Sequence, residues 1–188
     1  MQHLREYISH YENHLDKATA KATVLGAGGQ VRASTSNLVE SLAELIWTTE
    51  TNGSVRVDTY TISNPQGDTL DFSVDKHCYS VNGELKLILE CKAYLDRCYL
   101  LRADHDMEMI KTSLGKKNRD VKFAILALET AVSENALKFY LGRDNIDDIF
   151  FLLDGKRVSS KPIWKTEYRK QINKQLLSEV VSYVQQLK

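Results

Sequence analysis

Proline is almost missing from this sequence, with 2 residues in 188, and glycine is sparse at 9. That excludes collagen-like, proline-rich and low-complexity segments of any length. No apolar run approaches the ~18 residues that a membrane helix needs, so no membrane partner is expected. The opening stretch MQHLREYISHYENHLDK has acidic and polar residues where a secretory leader would be apolar. Cysteine is scarce and odd in number: Cys78, Cys91 and Cys98, at strand-like or loop positions, argue against a disulfide framework and for the cytoplasm. An excess of one charge is missing too, with 25 Lys+Arg against 25 Asp+Glu. A protein held on nucleic acid mainly by counterion release is usually more basic than this. A passive, histone-like coat is therefore excluded, whereas basic groups clustered on one face are not.

What remains is the profile of a packed globule, 43% apolar and 27% charged, of a length that suits a single domain over residues 1–188. Helical periodicity runs through residues 2–24, with Leu4, Tyr7, Ile8, Tyr11 and Leu15 at 3–4 spacing. The stretch Gly26-Ala27-Gly28-Gly29 ends it. This stretch follows a helix and lacks the Lys-Ser/Thr of a phosphate loop, so it reads as a connector. Ser36 or Asn37 caps an expected second helix whose core stripe is Leu38, Leu42, Leu45 and Ile46.

Three β-type runs follow, at 54–62, 69–81 and 84–92, separated by the turns Asn64-Pro65-Gln66-Gly67 and Asn82-Gly83. A helix is expected from Arg102 to Leu114, a buried strand at 121–128, and a helix at Glu134–Leu141. Another strand is expected at 148–153, then a last helix from Ile163 to Leu187. Helices, a β-meander, and then helix and strand in alternation predict a mixed α/β fold, a central mixed sheet with helices on both faces.

The informative segment is VDKHCYSVNGELKLILECK. A two-residue turn at Asn82-Gly83 makes Val81 face Glu84. It sets Asp75 opposite Glu90, His77 opposite Ile88, and Ser73 opposite Lys92. Directly opposed residues share a face, and alternation keeps i and i+2 together. Asp75, His77, Glu90 and Lys92 then lie on one side, while Leu85, Leu87, Leu89 and Cys91 point into a core. Facing acids repel unless a cation sits between them. Carboxylate oxygens with water suit Mg²⁺, and Lys92 over the same site suits a water or a phosphate charge.

These residues resemble a known pattern. Asp75-x14-Glu90-x-Lys92 resembles the PD-(D/E)xK nuclease motif. Its surroundings, Asp75 to Val81 and Leu87 to Tyr94, are similar to type II restriction endonucleases. The likeness is greatest to the Fok-type cleavage domain, with the EcoRI-like core second. It covers residues 36–153, with Arg102-Ala103-Asp104 opening the next helix, and Val74 stands where the family has proline. The resemblance implies a restriction-endonuclease-like core at 36–153, flanked by a helix and connector at 1–30 and a terminal helix at 163–187. It implies Mg²⁺-dependent hydrolysis of double-stranded DNA leaving 5′-phosphates, with Mn²⁺ as a substitute. Asp75, Glu90 and the backbone carbonyl of Cys91 would hold the metal, and Lys92 would position or activate water. Glu44 or Glu40 would match a helix glutamate that some members add. A double-strand break would take two copies, as a homodimer or as a heterodimer with a recognition or nicking subunit that supplies specificity. A repair nuclease on the same fold and a non-catalytic binding module are the rival readings.

Other residues are weighed beside these. Asp71, four positions before Asp75, is the rival metal aspartate. His77 is a possible base or phosphate contact, though a polar strand histidine near the surface is the simpler expectation. Tyr94, Arg97 and Arg102, and the basic loop residues Lys116, Lys117 and Arg119, are candidates to meet DNA phosphates. The cysteines lack paired C-x2–4-C spacing, so zinc is not expected.

Overall fold

A computed structural model of the chain describes residues 2–25, 29–115, 120–158 and 161–188. Helix α1 (Gln2–Leu25) packs beside helix α2 (Gly29–Thr51). The sheet takes strands in the order β1 (Ser54–Arg56), β4 (Lys76–Tyr79), β5 (Leu85–Leu95), β6 (Lys122–Thr130) and β7 (Asp148–Phe151). Pairing is antiparallel as far as β5 and parallel from there to β7. The parallel steps are bridged by α3 (Arg97–Leu114) and α4 (Glu134–Leu141). The architecture is therefore the expected mixed α/β sheet flanked by helices, consistent with a restriction-endonuclease-like core.

Two cores lie on the two faces. Leu87, Leu89 and Cys91 of β5 bury against Tyr7, Leu15, Leu38, Leu42 and Ile46 of the first two helices. Ile88 and the alternate residues Phe123, Ile125 and Ala127 of β6 bury against Leu100, Met107 and Ile110 of α3. β6 is apolar on both faces because it is paired on both edges and covered on both sides, as parallel strands usually are. Trp47 is fully buried and donates its indole N–H to the Tyr79 carbonyl at 3.0 Å, tying α2 to the end of β4. Gly53 must be glycine here, since a Cβ would sit 2.1 Å from that same carbonyl.

Several expected boundaries move, each for a local reason. α2 starts at Gly29, ahead of Ser36 and Asn37, because packing along α1 outweighs the weak helix propensity of its Ser/Thr-rich start. α3 starts at Arg97, not Arg102, because Asp96 caps it by accepting from the Tyr99 amide. Cys98 thus lies on a helix. The last helix, α5 (Lys174–Gln186), begins eleven residues late. Asn173 caps it, and residues 163–172 instead form a strap with one 3-10 turn at Thr166–Tyr168. Thr19 donates to the Trp164 carbonyl, Tyr11 to that of Lys170, and the Asn173 amide to Leu152. These bonds hold the strap extended. Among the described residues no helix is long and apolar enough to cross a membrane. The loop cations Lys116, Lys117 and Arg119, and residues 26–28 of the connector, lie outside the described residues.

Candidate active site

The run 69–81 is not one strand. It divides into β3 (Thr69–Ser73), which pairs with β2 (Thr59–Ser63) in a separate two-stranded ribbon, and β4, which belongs to the sheet. The break falls at Val74-Asp75. The β4–β5 ladder ends with Lys76 opposite Leu89, so Asp75 has no strand partner on β5. Its carboxylate takes over where the ladder stops, and Oδ2 accepts the Cys91 amide at 2.8 Å. Ser73 pairs with Thr59 in the ribbon, not with Lys92.

The turn that sets this register also differs from expectation. The Ser80 amide donates to Glu84 and the Gly83 amide to Ser80, so Val81-Asn82-Gly83 is a three-residue loop with Gly83 at φ 78°. That loop shifts the ladder by one, giving Tyr79 opposite Leu85. A bulge at Lys86 then restores it, giving Cys78 opposite Leu87 and His77 opposite Ile88. The expected register therefore holds at the open end of the hairpin and fails at the turn. Leu85 accordingly packs on the α3 core, not with Leu87 and Leu89.

At the open end three oxygens converge on one nitrogen. Lys92 Nζ lies 2.5 Å from Glu90 Oε1 and 3.0 Å from Asp75 Oδ2, and it donates to the Cys91 carbonyl at 3.1 Å. Alternation explains the set. Glu90 and Lys92 share a face of β5, while the Cys91 side chain points the other way, fully into the core. The side chains stay within reach of solvent, 27% exposed at Asp75, 21% at Lys92 and 12% at Glu90. Burial pushes the Glu90 carboxyl up; Lys92 opposes this and Asp75 adds to it. Burial alone would lower the Lys92 ammonium, but the Glu90 and Asp75 carboxylates outweigh it and hold it above the ordinary lysine value.

The donor set fits a hard divalent cation. Two carboxylates and a main-chain carbonyl surround a point now taken by an ammonium, and Mg²⁺ prefers few protein oxygens with the rest water. Among the described residues no three His, Cys, Asp or Glu side chains group to hold a metal, so the carbonyl and waters would have to complete the shell.

Helix α2 adds acids from beside the open end. Lys76 shares the α2 face with Leu89, and its Nζ lies 3.3 Å from Glu44 and 3.8 Å from Glu40. Glu40 is half-buried and is pushed up by burial and by the Asp75 charge. Glu44 is exposed, and among the described residues its carboxylate pairs with Lys76. Glu40 is thus the helix glutamate in electrostatic reach of Asp75. Core spacing could not separate two acids one turn apart; the Asp75 charge, felt at Glu40, does.

The other candidates scatter. Asp71 sits on the ribbon, exposed, accepting from Thr61 at 2.6 Å, away from the Asp75–Lys92 group. His77 is fully buried, not near the surface. Its ring packs at 5.3 Å from that of Tyr60, its Nδ1 accepts the Asp58 amide, and its Nε2 has no partner among the described residues. Burial holds it below the ordinary histidine range. Arg97 is exposed at the start of α3. Arg102 pairs with Asp106 one turn on, and Asp104 is buried against Arg143 and Asn145. Tyr94 lies beneath the guanidinium of Arg157, which sequence reasoning had not singled out.

No protein-family model matches the chain. It is similar to the type II restriction enzyme DdeI of Desulfomicrobium norvegicum, 28% identical over 141 residues that take in 68% of this chain. The match takes in 57% of the relative's own length, so the chain spans little more than half of that enzyme.

Proposed function

We propose that the chain is a Mg²⁺-dependent endonuclease of the PD-(D/E)xK kind, a type II restriction enzyme cutting double-stranded DNA. Residues 1–188 would form one nuclease domain. The observation that carries the reading is the convergence of the Asp75 and Glu90 carboxylates and the Cys91 carbonyl on one ammonium at the end of a ladder. The likeness to a type II restriction enzyme supports the same chemistry.

Asp75, Glu90 and the Cys91 carbonyl would hold the cation. Bound there, Mg²⁺ would polarise the scissile phosphate and lower the pKa of a coordinated water. Lys92 carries an ammonium that the Glu90 and Asp75 carboxylates hold above the ordinary lysine value. Its role is to orient water and to stabilise negative charge on the phosphate. Attack of a water oxygen on phosphorus with loss of the 3′ oxygen yields a 5′-phosphate and a 3′-hydroxyl. The Asp75–Cys91 hydrogen bond fixes the aspartate where the strand leaves the sheet. One such site cuts one strand, so a double-strand break requires a second, in a homodimer or in a partner subunit.

The test is incubation of the chain with duplex DNA in Mg²⁺ or Mn²⁺. Discrete fragments are expected, with Asp75→Ala and Lys92→Ala inactive and Asp71→Ala still cutting. Cutting confined to flaps or junctions would make it a repair nuclease. Folded wild-type protein that leaves every duplex intact, or cutting abolished by Asp71→Ala alone, would overturn the assignment.

A further inference from the structure

Most cations of this neutral chain that flank the sheet are engaged by its own acids: Lys86 by Glu84, Arg102 by Asp106, Lys122 by Asp147, Arg143 by Asp104. The segment after β7 differs. Residues 155–165 contain Lys156, Arg157, Lys161 and Lys165 and no acid. Among the described residues none of the four pairs with a carboxylate. Lys156 and Arg157 sit at the carboxyl end of the parallel strand β6. Lys156 forms a bridge with Thr130, and the Arg157 amide donates to the Thr130 carbonyl at 3.0 Å. Ligands of α/β sheets gather at that end.

Arg157 is held there without being neutralised. Its guanidinium lies 3.7 Å from the centroid of the Tyr94 ring, an attraction that fixes the group's position and leaves its charge in place. Tyr94 stands on β5 two residues beyond Lys92, roughly 7 Å along the strand. Strand alternation therefore puts Tyr94 and Lys92 on one face of β5. A planar guanidinium suits a phosphate by two parallel N–H bonds.

Resting on the function proposed above, we infer that Arg157, seated on Tyr94, anchors the DNA backbone by binding a phosphate beside the one cut. It contributes to binding, not to the chemical step. The experiment follows a labelled duplex by fluorescence anisotropy with Ca²⁺ in place of Mg²⁺ over a range of salt, and measures KM and kcat for cleavage in Mg²⁺. Arg157→Gln is expected to weaken binding about tenfold and to reduce the slope of log K against log salt by about 1. KM rises while kcat stays near wild type. Arg157→Lys restores the salt slope, because it restores the charge. Tyr94→Leu keeps the slope but loses affinity, because the charge stays and its seat goes; this variant also guards against misfolding at position 157. If Arg157→Gln and Tyr94→Leu match wild type in slope, affinity and KM, the inference fails while the nuclease reading stands. If the wild-type chain neither binds nor cuts duplex DNA, both fail together.

Discussion

Two partly buried lysine–glutamate pairs lie at neighbouring strands of this sheet, each closed to 2.5 Å: Lys92 with Glu90 on β5, and Lys170 with Glu129 on β6. Their surroundings differ. Among the described residues Glu129 meets one cation, Lys170, and shares it with no other carboxylate. Lys170 donates in addition to the Asp154 carbonyl, whose side chain accepts from Asn173. The Lys170–Glu129 pair fastens the strap of residues 163–172 to β6, and the bonds to Asp154 hold its end. Around Glu90 the acids outnumber the bases. Asp75 and Glu90 share Lys92, while Glu40 and Glu44 share Lys76. A balanced pair completes a structure; an unbalanced one, still open to solvent, leaves room for another cation. The geometry of the ion pair alone would not distinguish them.

The sharpest way to break that contrast is to remove the same charge from each. On the proposed reading Glu90→Gln is expected to reduce cleavage on the order of 10³-fold or more, since it would remove a ligand of the cation. Its effect on stability is expected to stay within about 1 kcal/mol, because the loss relieves an excess of negative charge. Glu129→Gln should do the reverse. Breaking a buried pair costs 3–5 kcal/mol, and with Lys170 a third exposed about 2 kcal/mol is expected here, with kcat close to wild type at temperatures where the protein is folded. Urea unfolding and cleavage assays on both variants decide the matter. If Glu129→Gln were the inactive one, the division into structural and functional pairs would be wrong.

A smaller effect separates the two acids of α2. Glu40 lies near enough to Asp75 for their charges to interact, whereas Glu44 meets Lys76 at the surface. Glu40→Gln is expected to raise the Mg²⁺ concentration for half-maximal cleavage about tenfold, and Glu44→Gln to change it less than threefold. Equal shifts from the two would mean that both merely tune Lys76.

Much of this was legible before the fold was known, and the failures have identifiable causes. Alternation in Leu87-Ile88-Leu89-Glu90-Cys91-Lys92 already separated the core face of Leu87, Leu89 and Cys91 from the face of Glu90 and Lys92, which also holds Ile88, buried in the second core. The register from Lys76 to Cys78 was obtained through a turn that does not form, and Asp75 itself lies beyond the ladder. A three-residue loop and a bulge at Lys86 offset each other, and neither leaves a mark in the hydrophobic pattern. The division of 69–81 into a ribbon and a sheet strand was hidden because both pieces keep β-type alternation. Only tertiary placement shows that Asp71 and Asp75 belong to different sheets. The burial of His77 depends on the ribbon's Tyr60 folding over it, a contact no strand pattern contains. The strap at 163–172 carries a helical stripe of apolar residues, yet its backbone bonds go to α1 and to Leu152.

The finest distinction concerns pH. Burial holds the Glu90 carboxyl above its ordinary value of 4.5 in the fold. A carboxyl raised on folding contributes stability that is fully present below the unfolded value and is lost as pH rises through the folded one. In metal-free protein, wild type should therefore be favoured over Glu90→Gln near pH 4 and lose that advantage as pH rises toward 7, by an amount of about 1 kcal/mol or less. Thermal unfolding of the two proteins in EDTA at a series of pH values measures it as a Tm difference that drifts in favour of Glu90→Gln. Adding Mg²⁺ should reverse the drift, because a cation among these oxygens stabilises the ionised glutamate and so restores wild type at neutral pH. The corresponding Glu129→Gln comparison should show no reversal with Mg²⁺. A balanced ion pair has no place for the ion, and a Mg²⁺ response there equal to that at Glu90 would erase the difference between the two sites.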